Sequence, residues 1–258
     1  MHASARPGRY NPGVIPRVFA PDAGTTAGGI VALAPDEAAH LTRVLRLGPG
    51  AAVRVFDGRG GEWAATIRDG AKSRVSLTLG PPLAPAPEPR VAYSLAIAVL
   101  KGDATDEAVR DGVMLGAAAI HPFVAARSEV SLAALARARR ADRWRRVAIA
   151  SAKQCGRATV PVIHEPVTVD ALLTGAPGPL RLQLVEPGLG EPSLHLADVP
   201  VPSAVTLAVG PEGGWTPGEV AQARAEGWLA LGLGGRVLRA VSAPLVALAA
   251  AQAVWRDR

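Results

Sequence analysis

Two glycine-rich segments in the last quarter of the chain have the residue types and spacing of a ligand-binding site. Residues 210–214 read GPEGG and follow residues 204–209, an apolar run with aliphatic side chains at alternate positions. Such a run predicts a parallel strand buried on both faces, and ligands commonly bind beyond the carboxyl ends of these strands. The second segment, residues 231–243, reads LGLGGRVLRAVSA. Because glycine permits positive φ angles and close approach to the main chain, we predict a pocket lined by both segments.

The elements that position these segments are predicted from the flanking residues. Thr216, Pro217 and Glu219 match the N-cap, first and third positions of a helix that begins directly after the first glycine segment. The alanine-rich residues 243–255 predict another helix after the second segment. No GxGxxG motif follows an early strand, which argues against a Rossmann-type dinucleotide site.

GPEGG, followed by LGxRxLR and an alanine-rich C-terminal helix, resembles the RsmE family, the SPOUT-class methyltransferases that modify N3 of a uridine in 16S ribosomal RNA. The segments HLTRVLRLGPG, FDG and QCGR extend the resemblance over nearly the whole chain beyond Val14. The resemblance implies an α/β protein in which a PUA-like β-barrel precedes a SPOUT domain with a C-terminal trefoil knot. It also implies S-adenosylmethionine as the cofactor and a homodimer formed through the knotted domain.

The residue pattern divides the chain into four parts. Residues 1–14 lack periodicity and predict a flexible leader. Residues 15–82 contain short apolar stretches broken by glycine and charge, which predict a small β-barrel, identified by the resemblance as PUA-like and RNA-binding. Residues 83–90 belong to a proline-rich stretch and predict a linker. In residues 91–258, strands alternate with helices, which predicts an α/β layer structure.

Two local features are predicted within the barrel. Leu41 and Val44 lie on the apolar side of an amphipathic helix, with arginines on its polar side. Asp57 and Gly58 form a hairpin turn. Residues 80–90 contain too many prolines to continue a helix or a sheet.

By resemblance, three loops build the cofactor site: the end of a strand at Glu186, the first glycine segment, and residues 231–238. Their backbone groups suit the adenine edge and the ribose of S-adenosylmethionine. The candidate cofactor-binding residues are Glu186, Gly210, Pro211, Glu212, Gly213, Gly214, Leu231, Gly232, Leu233, Arg236, Val237 and Leu238.

The candidate catalytic residues are Arg236, Arg239 and Glu212. Uracil N3 carries a proton at neutral pH, so the site must stabilise the anion that forms when this proton leaves, and the two arginines suit that role. Glu212 is a candidate to orient the cofactor or accept the proton, and equally a turn acid near the helix that begins at Thr216. Cys155 raises the alternative of thiolate attack on uracil, but no neighbouring base accompanies it, which favours a packing role.

The charge balance points to a polyanionic partner. The formal net charge is +6, the pI is about 10.4, and only three of the 28 basic residues are lysines. Six arginines lie within residues 137–146, a density that suits phosphate contact and equally a solvated helix face. The candidate RNA-binding residues are Arg17, Arg43, Arg46, Arg54, Arg127, Arg140, Arg143 and Arg157, and the expected partner is 16S ribosomal RNA or the small ribosomal subunit.

Composition also argues against several classes. A single cysteine excludes an internal disulfide and, with five scattered histidines, argues against a metal site. No apolar run approaches the ~20 residues of a transmembrane helix, and the start shows no signal-peptide core. We expect a cytoplasmic protein without a bound metal.

The chain departs from the usual pattern of the resembling family at four acidic or basic positions. Met114, Val241 and Lys153 stand where glutamate is usual, and Asp111 stands where lysine is usual. These changes suggest that a buried charge network was exchanged for apolar packing. They leave two alternatives open: a divergent relative that methylates another RNA or a small molecule, and an RNA-binding protein that has lost catalysis.

Overall fold

The computed structural model describes residues 15–24, 29–71, 74–189 and 194–257. The leader expected at residues 1–14 lies outside these described residues. The chain divides into two compact units, with the boundary between Ala86 and Pro87. Each unit is built around its own sheet.

The N-terminal unit is a five-stranded sheet in the order β1-β3-β4-β5-β2. β1 and β3 are parallel, and the other neighbours are antiparallel. Alternate residues of the strands, such as Val53 and Val55 or Leu77 and Leu79, are buried in its core, because successive side chains of a strand point to opposite faces. The strands are β1 (Arg17–Phe19), β2 (Ile30–Ala32), β3 (Ala52–Phe56), β4 (Glu62–Ala71) and β5 (Arg74–Pro82).

The helix predicted in this unit is short and changes its winding. α1 (Pro35–Ala39) continues into a π-helical turn at His40–Val44. Leu41 is fully buried, as predicted, but Val44 is 63% exposed. The wider π-helical turn breaks the 3.6-residue period from which Val44 was placed on the apolar side, and that placement is wrong.

The connection between β3 and β4 begins with the predicted Asp57 and Gly58. The Asp57 carboxylate accepts hydrogen bonds from the backbone N–H of Arg59 (2.7 Å) and of Gly61 (3.0 Å), and Gly58 has a φ of 78°. The loop therefore spans residues 57–61 and is organised by an aspartate that satisfies its backbone donors.

β5 runs through Pro82. The expectation that residues 80–90 leave the sheet is therefore wrong for residues 80–82. β2 pairs only with residues 76–78 of β5. The missing N–H groups of Pro81 and Pro82 therefore cost no hydrogen bond on that side of the strand.

The C-terminal unit is a parallel sheet in the order β12-β10-β11-β6-β7-β8, with β9 paired to β7. Its strands are β6 (Ala92–Ala98), β7 (Ala119–Val124), β8 (Val162–Ile163), β9 (Val167–Thr168), β10 (Leu180–Leu184), β11 (Ala204–Val209) and β12 (Leu229–Leu231). Its helices are α2 (Ala104–Met114), α3 (Leu132–Arg137), α4 (Arg140–Cys155), α5 (Val169–Gly175), α6 (Pro217–Ala225) and α7 (Ala243–Trp255). A 3₁₀ turn lies at Leu196–Asp198.

β11, the strand predicted from residues 204–209, is confirmed as an interior strand between β10 and β6. Val205 to Val209 are all buried. The absence of polar alternation in this run is thus explained by helices and loops that cover both faces of the sheet. Among the described residues, no helix has the length and apolar character needed to cross a membrane.

The end of α7 is tied to the start of β6. Asp257 is 2% exposed, and its carboxylate accepts hydrogen bonds from the backbone N–H of Arg90 (2.7 Å) and Val91 (2.9 Å). Trp255 stacks on Tyr93 with 6.2 Å between ring centroids. The last helix is therefore joined to an interior strand by both packing and hydrogen bonds.

His121 is an ionisable group within the sheet. It lies on β7, and its ring stacks on that of His164 at 4.1 Å between centroids. Burial, and secondarily the nearby charge of His164, lowers the pKa of His121 from 6.5 to about 4. The folded state therefore favours the neutral imidazole.

We expect this group to make the unfolding free energy depend on pH. The unfolded chain binds a proton near pH 6.5 and the folded chain only near pH 4, so stability falls as pH is lowered through this window and levels off below it. Urea unfolding followed by tryptophan fluorescence at pH 7 and pH 4.5 measures the loss. His121→Phe removes this part of the loss, whereas His164→Gln retains most of it because burial is the larger cause. Equal pH dependence in the wild type and His121→Phe contradicts the assignment.

Candidate functional site

A cavity of about 410 Å³ opens beyond the carboxyl ends of β10 and β11. Three segments of the C-terminal unit line it: residues 184–187 after β10, the glycine segment after β11, and residues 233–243 before α7. Ala104, at the start of α2, contributes from another side. The parallel strands thus deliver three loops to one edge of the sheet, which is the usual place for a ligand.

The first glycine segment folds as a tight turn that needs its glycines. The Gly214 N–H donates to the Pro211 carbonyl (2.9 Å), and Gly214 has a φ of 69°. A Cβ atom at Gly214 would lie 2.7 Å from Oε1 of Glu186, and one at Gly210 would lie 3.0 Å from the Trp215 ring. Glycine is therefore needed at Gly214 for conformation and at both positions for space.

Trp215 anchors this turn to the neighbouring loop. Its indole is buried, stacks on Phe123 at 5.6 Å between centroids, and donates through Nε1 to the carbonyl of Leu184 at the end of β10 (2.8 Å). Sequence reasoning missed Trp215, although an indole directly after a glycine turn is a usable signal because its N–H needs a partner when buried.

The helix start predicted at Thr216 is confirmed. The Thr216 hydroxyl accepts from the Glu219 N–H (3.2 Å), and the Glu219 carboxylate accepts from the Thr216 N–H (2.8 Å) in a capping box. Glu219 is 6% exposed and also accepts from the backbone N–H of Ala126 (2.9 Å). The same acid that caps α6 therefore holds the loop after β7.

The two carboxylates of the cavity have different surroundings. Oε1 of Glu212 accepts a hydrogen bond from the backbone N–H of Lys101 (3.0 Å), which joins the glycine segment to the loop after β6. Glu186 is exposed and extends its carboxylate over Gly214. None of the roles predicted for Glu212 from the sequence included this contact with the loop after β6. Sequence reasoning also missed Lys101.

Arg236 and Arg239 line the cavity and are exposed. Neither guanidinium forms an ion pair within the described parts of the chain. The backbone carbonyl of Arg239 accepts from the N–H of Ser242 (2.8 Å) and of Ala243 (3.0 Å), which starts α7. The turn thus presents two unneutralised cations to the cavity.

Most of the predicted cofactor-binding residues line the cavity, and three do not. Leu231 is buried in β12, and Gly213 faces Arg127, so that a Cβ atom there would lie 3.1 Å from the Arg127 Cβ. Gly232 follows β12 without reaching the lining. The predicted residues in the lining are Glu186, Gly210, Pro211, Glu212, Gly214, Leu233, Arg236, Val237 and Leu238.

The arginines predicted to bind RNA in the N-terminal unit fall into two groups. Arg17 and Arg54 both pair with buried Glu62, at 3.0 Å and 2.8 Å, and Arg17 also lies over the Phe56 ring. Arg43 and Arg46 are exposed and form no ion pair with a described residue. Only the second group has guanidinium groups free for a phosphate.

The arginine cluster at the start of α4 is neutralised from within the protein. Arg143 pairs with Asp103 and Asp106, and Arg140 lies 3.6 Å from Asp106. Arg139 and Arg145 share Asp142. The mutual repulsion of these arginines is therefore relieved by carboxylates at the start of α2 and in α4, and the arginine density does not by itself indicate phosphate contact.

Arg157 and Cys155, at the end of α4, are engaged in structure. Arg157 is 6% exposed, pairs with Glu88 and donates to the carbonyls of Val113 (2.6 Å) and Ala117 (3.1 Å). Its burial removes it from contact with RNA, and the prediction for Arg157 is wrong. Cys155 Sγ lies 3.8 Å from the Ala152 carbonyl and outside the cavity lining.

The four departures do not form one buried network. Met114 is 40% exposed at the end of α2, whereas Val241 lines the cavity. The proposed exchange of a buried charge network for apolar packing is therefore wrong at Met114. Across the described ranges of the chain, no group of three histidine, cysteine, aspartate or glutamate side chains is placed to hold a metal ion.

A parallel sheet whose strand ends enclose a glycine-lined cavity, beside two arginines without ion-pair partners among the described residues, is the arrangement of an α/β protein with a small-molecule site. Comparison with known proteins narrows this class. Residues 87–252 match the family model described as an RNA methyltransferase domain, and residues 33–80 match the RNA methyltransferase PUA domain.

Curated relatives agree with these matches. The chain is 36% identical over 213 residues to the ribosomal RNA small subunit methyltransferase E of Synechocystis, covering 81% of this chain and 68% of that one. It is 30% identical to the Bacillus subtilis protein of the same name, over 83% of this chain and 86% of that one. The chain therefore belongs to the ribosomal RNA small subunit methyltransferase E family of RNA methyltransferases.

Solved structures show the same fold. The Neisseria gonorrhoeae methyltransferase E, bound to S-adenosyl methionine, has a TM-score of 0.83 at 31% identity and covers 94% of this chain and 98% of its own. A Legionella pneumophila methyltransferase in complex with the same cofactor has a TM-score of 0.86 at 30% identity, with coverages of 93% and 98%. The predicted fold class, a PUA-like domain before an α/β methyltransferase domain, is confirmed, and the trefoil knot stays a prediction.

We expect Gly214→Ala to lower the unfolding free energy by about 1–2 kcal/mol, because alanine must adopt a positive φ and its Cβ must displace Glu186. Gly218→Ala is the matched control: it lies in the first turn of α6, where a Cβ meets only the Thr216 hydroxyl at 4.0 Å. We expect that variant to be neutral or slightly stabilised. Urea unfolding of the two variants and the wild type measures the difference, and equal stability of the two variants contradicts the role of Gly214.

Proposed function

We propose that this protein transfers the methyl group of S-adenosylmethionine to N3 of a uridine in 16S ribosomal RNA. The observation that carries the proposal is the cavity at the ends of β10 and β11, in a chain that belongs to the methyltransferase E family. The names of the relatives supply the RNA of the small ribosomal subunit as the substrate class, and the two solved relatives supply the cofactor. Because ribosomal RNA of bacterial relatives is made in the cytoplasm, we place the reaction there.

The residues of the cavity fit this cofactor. Its volume lies within the roughly 300–1,000 Å³ of small-molecule sites. Leu184, Val209 and Leu238 supply an apolar lining for an adenine ring, and the glycine turn exposes main-chain groups to a ligand without intervening side chains. Glu186 is placed to accept hydrogen bonds from hydroxyl or ammonium groups.

When bound, S-adenosylmethionine supplies an electrophilic methyl group on a sulfonium centre. The loops of the protein hold donor and acceptor in line and exclude water, and this positioning provides much of the rate. In the proposed reaction, N3 of the uracil loses its proton and gains the methyl group. The bond between this methyl carbon and the sulfonium sulfur breaks, and the donor becomes a neutral thioether.

The charged residues of the cavity have distinct roles in this proposal. Arg236 and Arg239 stabilise the uracil anion, because they are cationic, line the cavity and lack an ion-pair partner among the described residues. Glu212 is the proposed proton acceptor. Its bond from the Lys101 N–H fixes one carboxylate oxygen and leaves the other for the substrate.

RNA contact outside the cavity is proposed for the exposed, unneutralised arginines. Arg43 and Arg46 meet this description in the N-terminal unit. Arg140 and Arg143 are already paired with aspartates, so a phosphate would have to compete with Asp103 and Asp106. We therefore assign RNA contact to the first pair.

The proposed function is tested by incubating small ribosomal subunits that lack the modification with the purified protein and S-adenosylmethionine. We expect mass spectrometry of the digested RNA to show 3-methyluridine. Methylation of another nucleotide supports the divergent-relative alternative. RNA binding without cofactor binding in calorimetry supports the loss of catalysis.

In the same assay, we expect Arg236→Ala and Arg239→Ala to lower kcat by about 10²-fold at saturating cofactor and RNA, because each removes a cation from the developing charge. Arg146→Ala is the control, since Arg146 is an exposed arginine of α4 outside the cavity lining. A kcat in both cavity variants equal to that of Arg146→Ala eliminates the electrostatic role.

We also propose a homodimer formed through α7. Leu245, Val246 and Val254 are large apolar side chains on its outer face, exposed by 37%, 38% and 44%. Large apolar side chains on the exposed half of a helix are typical of a surface that a partner covers. Because Ala243 at the start of α7 lines the cavity, such a partner would lie beside the proposed site.

We expect Val246→Glu to convert the dimer into a monomer, since a carboxylate would be desolvated in the interface. Val201→Glu, which places the same charge at a valine 60% exposed outside α7, should remain dimeric. Light scattering coupled to size-exclusion chromatography gives both masses. A wild type that elutes as a monomer at micromolar concentration contradicts the proposal.

A further inference from the structure

Arg127 lies in the segment after β7, and its guanidinium reaches across to the glycine turn. Nη1 donates to the carbonyl of Gly213 (2.8 Å) and to the carbonyl of Trp215 (3.1 Å). These two carbonyls bracket Gly214, the residue whose positive φ shapes the turn. A single side chain therefore binds the peptide group directly before Gly214 and the peptide group that follows Trp215.

The turn is shaped to receive this side chain. A Cβ atom at Gly213 would lie 3.1 Å from Cβ and 3.4 Å from Cδ of Arg127. The absence of a side chain at Gly213 thus lets the arginine stem lie along the backbone. This accounts for a glycine that does not line the cavity and has no positive φ.

A second contact runs in the opposite direction. The backbone N–H of Ala126, the residue before Arg127, donates to Oε1 of buried Glu219 (2.9 Å), which follows the turn in α6. The segment after β7 thus supplies the Arg127 cation to two carbonyls of the turn. The start of α6 supplies the Glu219 carboxylate to an amide of that segment. Such reciprocal charge-assisted bonds hold two loops in one register.

We propose that Arg127 is a positioning residue that holds residues 210–216 in the conformation that receives the cofactor. The inference rests on the proposed function for the identity of the ligand. The hydrogen bonds of Arg127 to Gly213 and Trp215, called the clamp below, are independent of that function. Arg127 then affects cofactor affinity, in contrast to the RNA contact expected from its residue type. Nη1 of its exposed guanidinium binds the turn, so we expect the loss of this side chain to loosen the turn that lines the cavity.

The test compares Arg127→Ala, Arg127→Lys and the control Arg146→Ala with the wild type. Loss of two hydrogen bonds of ordinary strength predicts that Arg127→Ala raises the Kd for S-adenosylmethionine about tenfold in calorimetry without RNA. Arg127→Lys, which keeps a cation and donors, should recover part of that loss, and Arg146→Ala should bind as the wild type does. The KM for RNA at saturating cofactor should change less than twofold in Arg127→Ala.

A readout without ligand separates the clamp from the proposed function. In hydrogen exchange of the free protein, the peptide that contains residues 210–216 should exchange faster in Arg127→Ala, while peptides from β6 keep wild-type rates. If the wild type fails to bind the cofactor, the proposed function fails and the exchange data alone decide the clamp. An unchanged Kd together with unchanged exchange overturns the inference, as does a higher RNA KM with an unchanged cofactor Kd. Should the alanine variant not fold, the same comparison is made with Arg127→Lys.

Discussion

The arrangement of the cavity depends on one buried hydrogen bond, from the Trp215 indole to the carbonyl of Leu184. Leu184 is the last residue of β10, and Trp215 follows the turn at the end of β11, so this bond joins two of the three loops that line the cavity. A buried donor or acceptor without a partner costs about 1–3 kcal/mol, which opposes separation of the loops. The stacking of Phe123 on the same indole extends the constraint to β7.

The arginines of the C-terminal unit include some that are paired with carboxylates and some that line the cavity. Arginines at the start of α4 are matched by aspartates of α2 and α4, and Arg157 is matched by Glu88. Arg236 and Arg239, in contrast, line the cavity without an acidic partner in the described residues. A strongly basic composition is therefore a poor guide to where a polyanion binds, since the densest group of arginines, at the start of α4, is paired with carboxylates of the protein itself. The unmatched cations are the informative ones.

The sequence predicted the glycine turn and the helix start at the site well but the partners of the arginines poorly, and the reason is the range of the interactions. The strand before the glycine turn and the capping box at Thr216 depend on neighbouring residues, so residue type and spacing were enough. The partners of Arg157 lie 40 to 69 residues away, and those of Arg127 lie 86 and 88 residues away. No local pattern distinguishes these arginines from solvent-exposed ones. The π-helical turn at Val44 likewise breaks a period that the pattern assumed to be regular.

The hydrogen bonds from the two amides directly before β6 to Asp257 have a consequence for folding. β6 is the first strand of its sheet to be translated, yet the N–H groups of Arg90 and Val91, directly before it, receive their acceptor from Asp257, which follows every helix and strand of the unit. These two amides therefore lack this acceptor until more than 150 further residues have been synthesised. Folding of this unit is therefore expected to be completed only after α7 has formed and has brought Asp257 to these two amides.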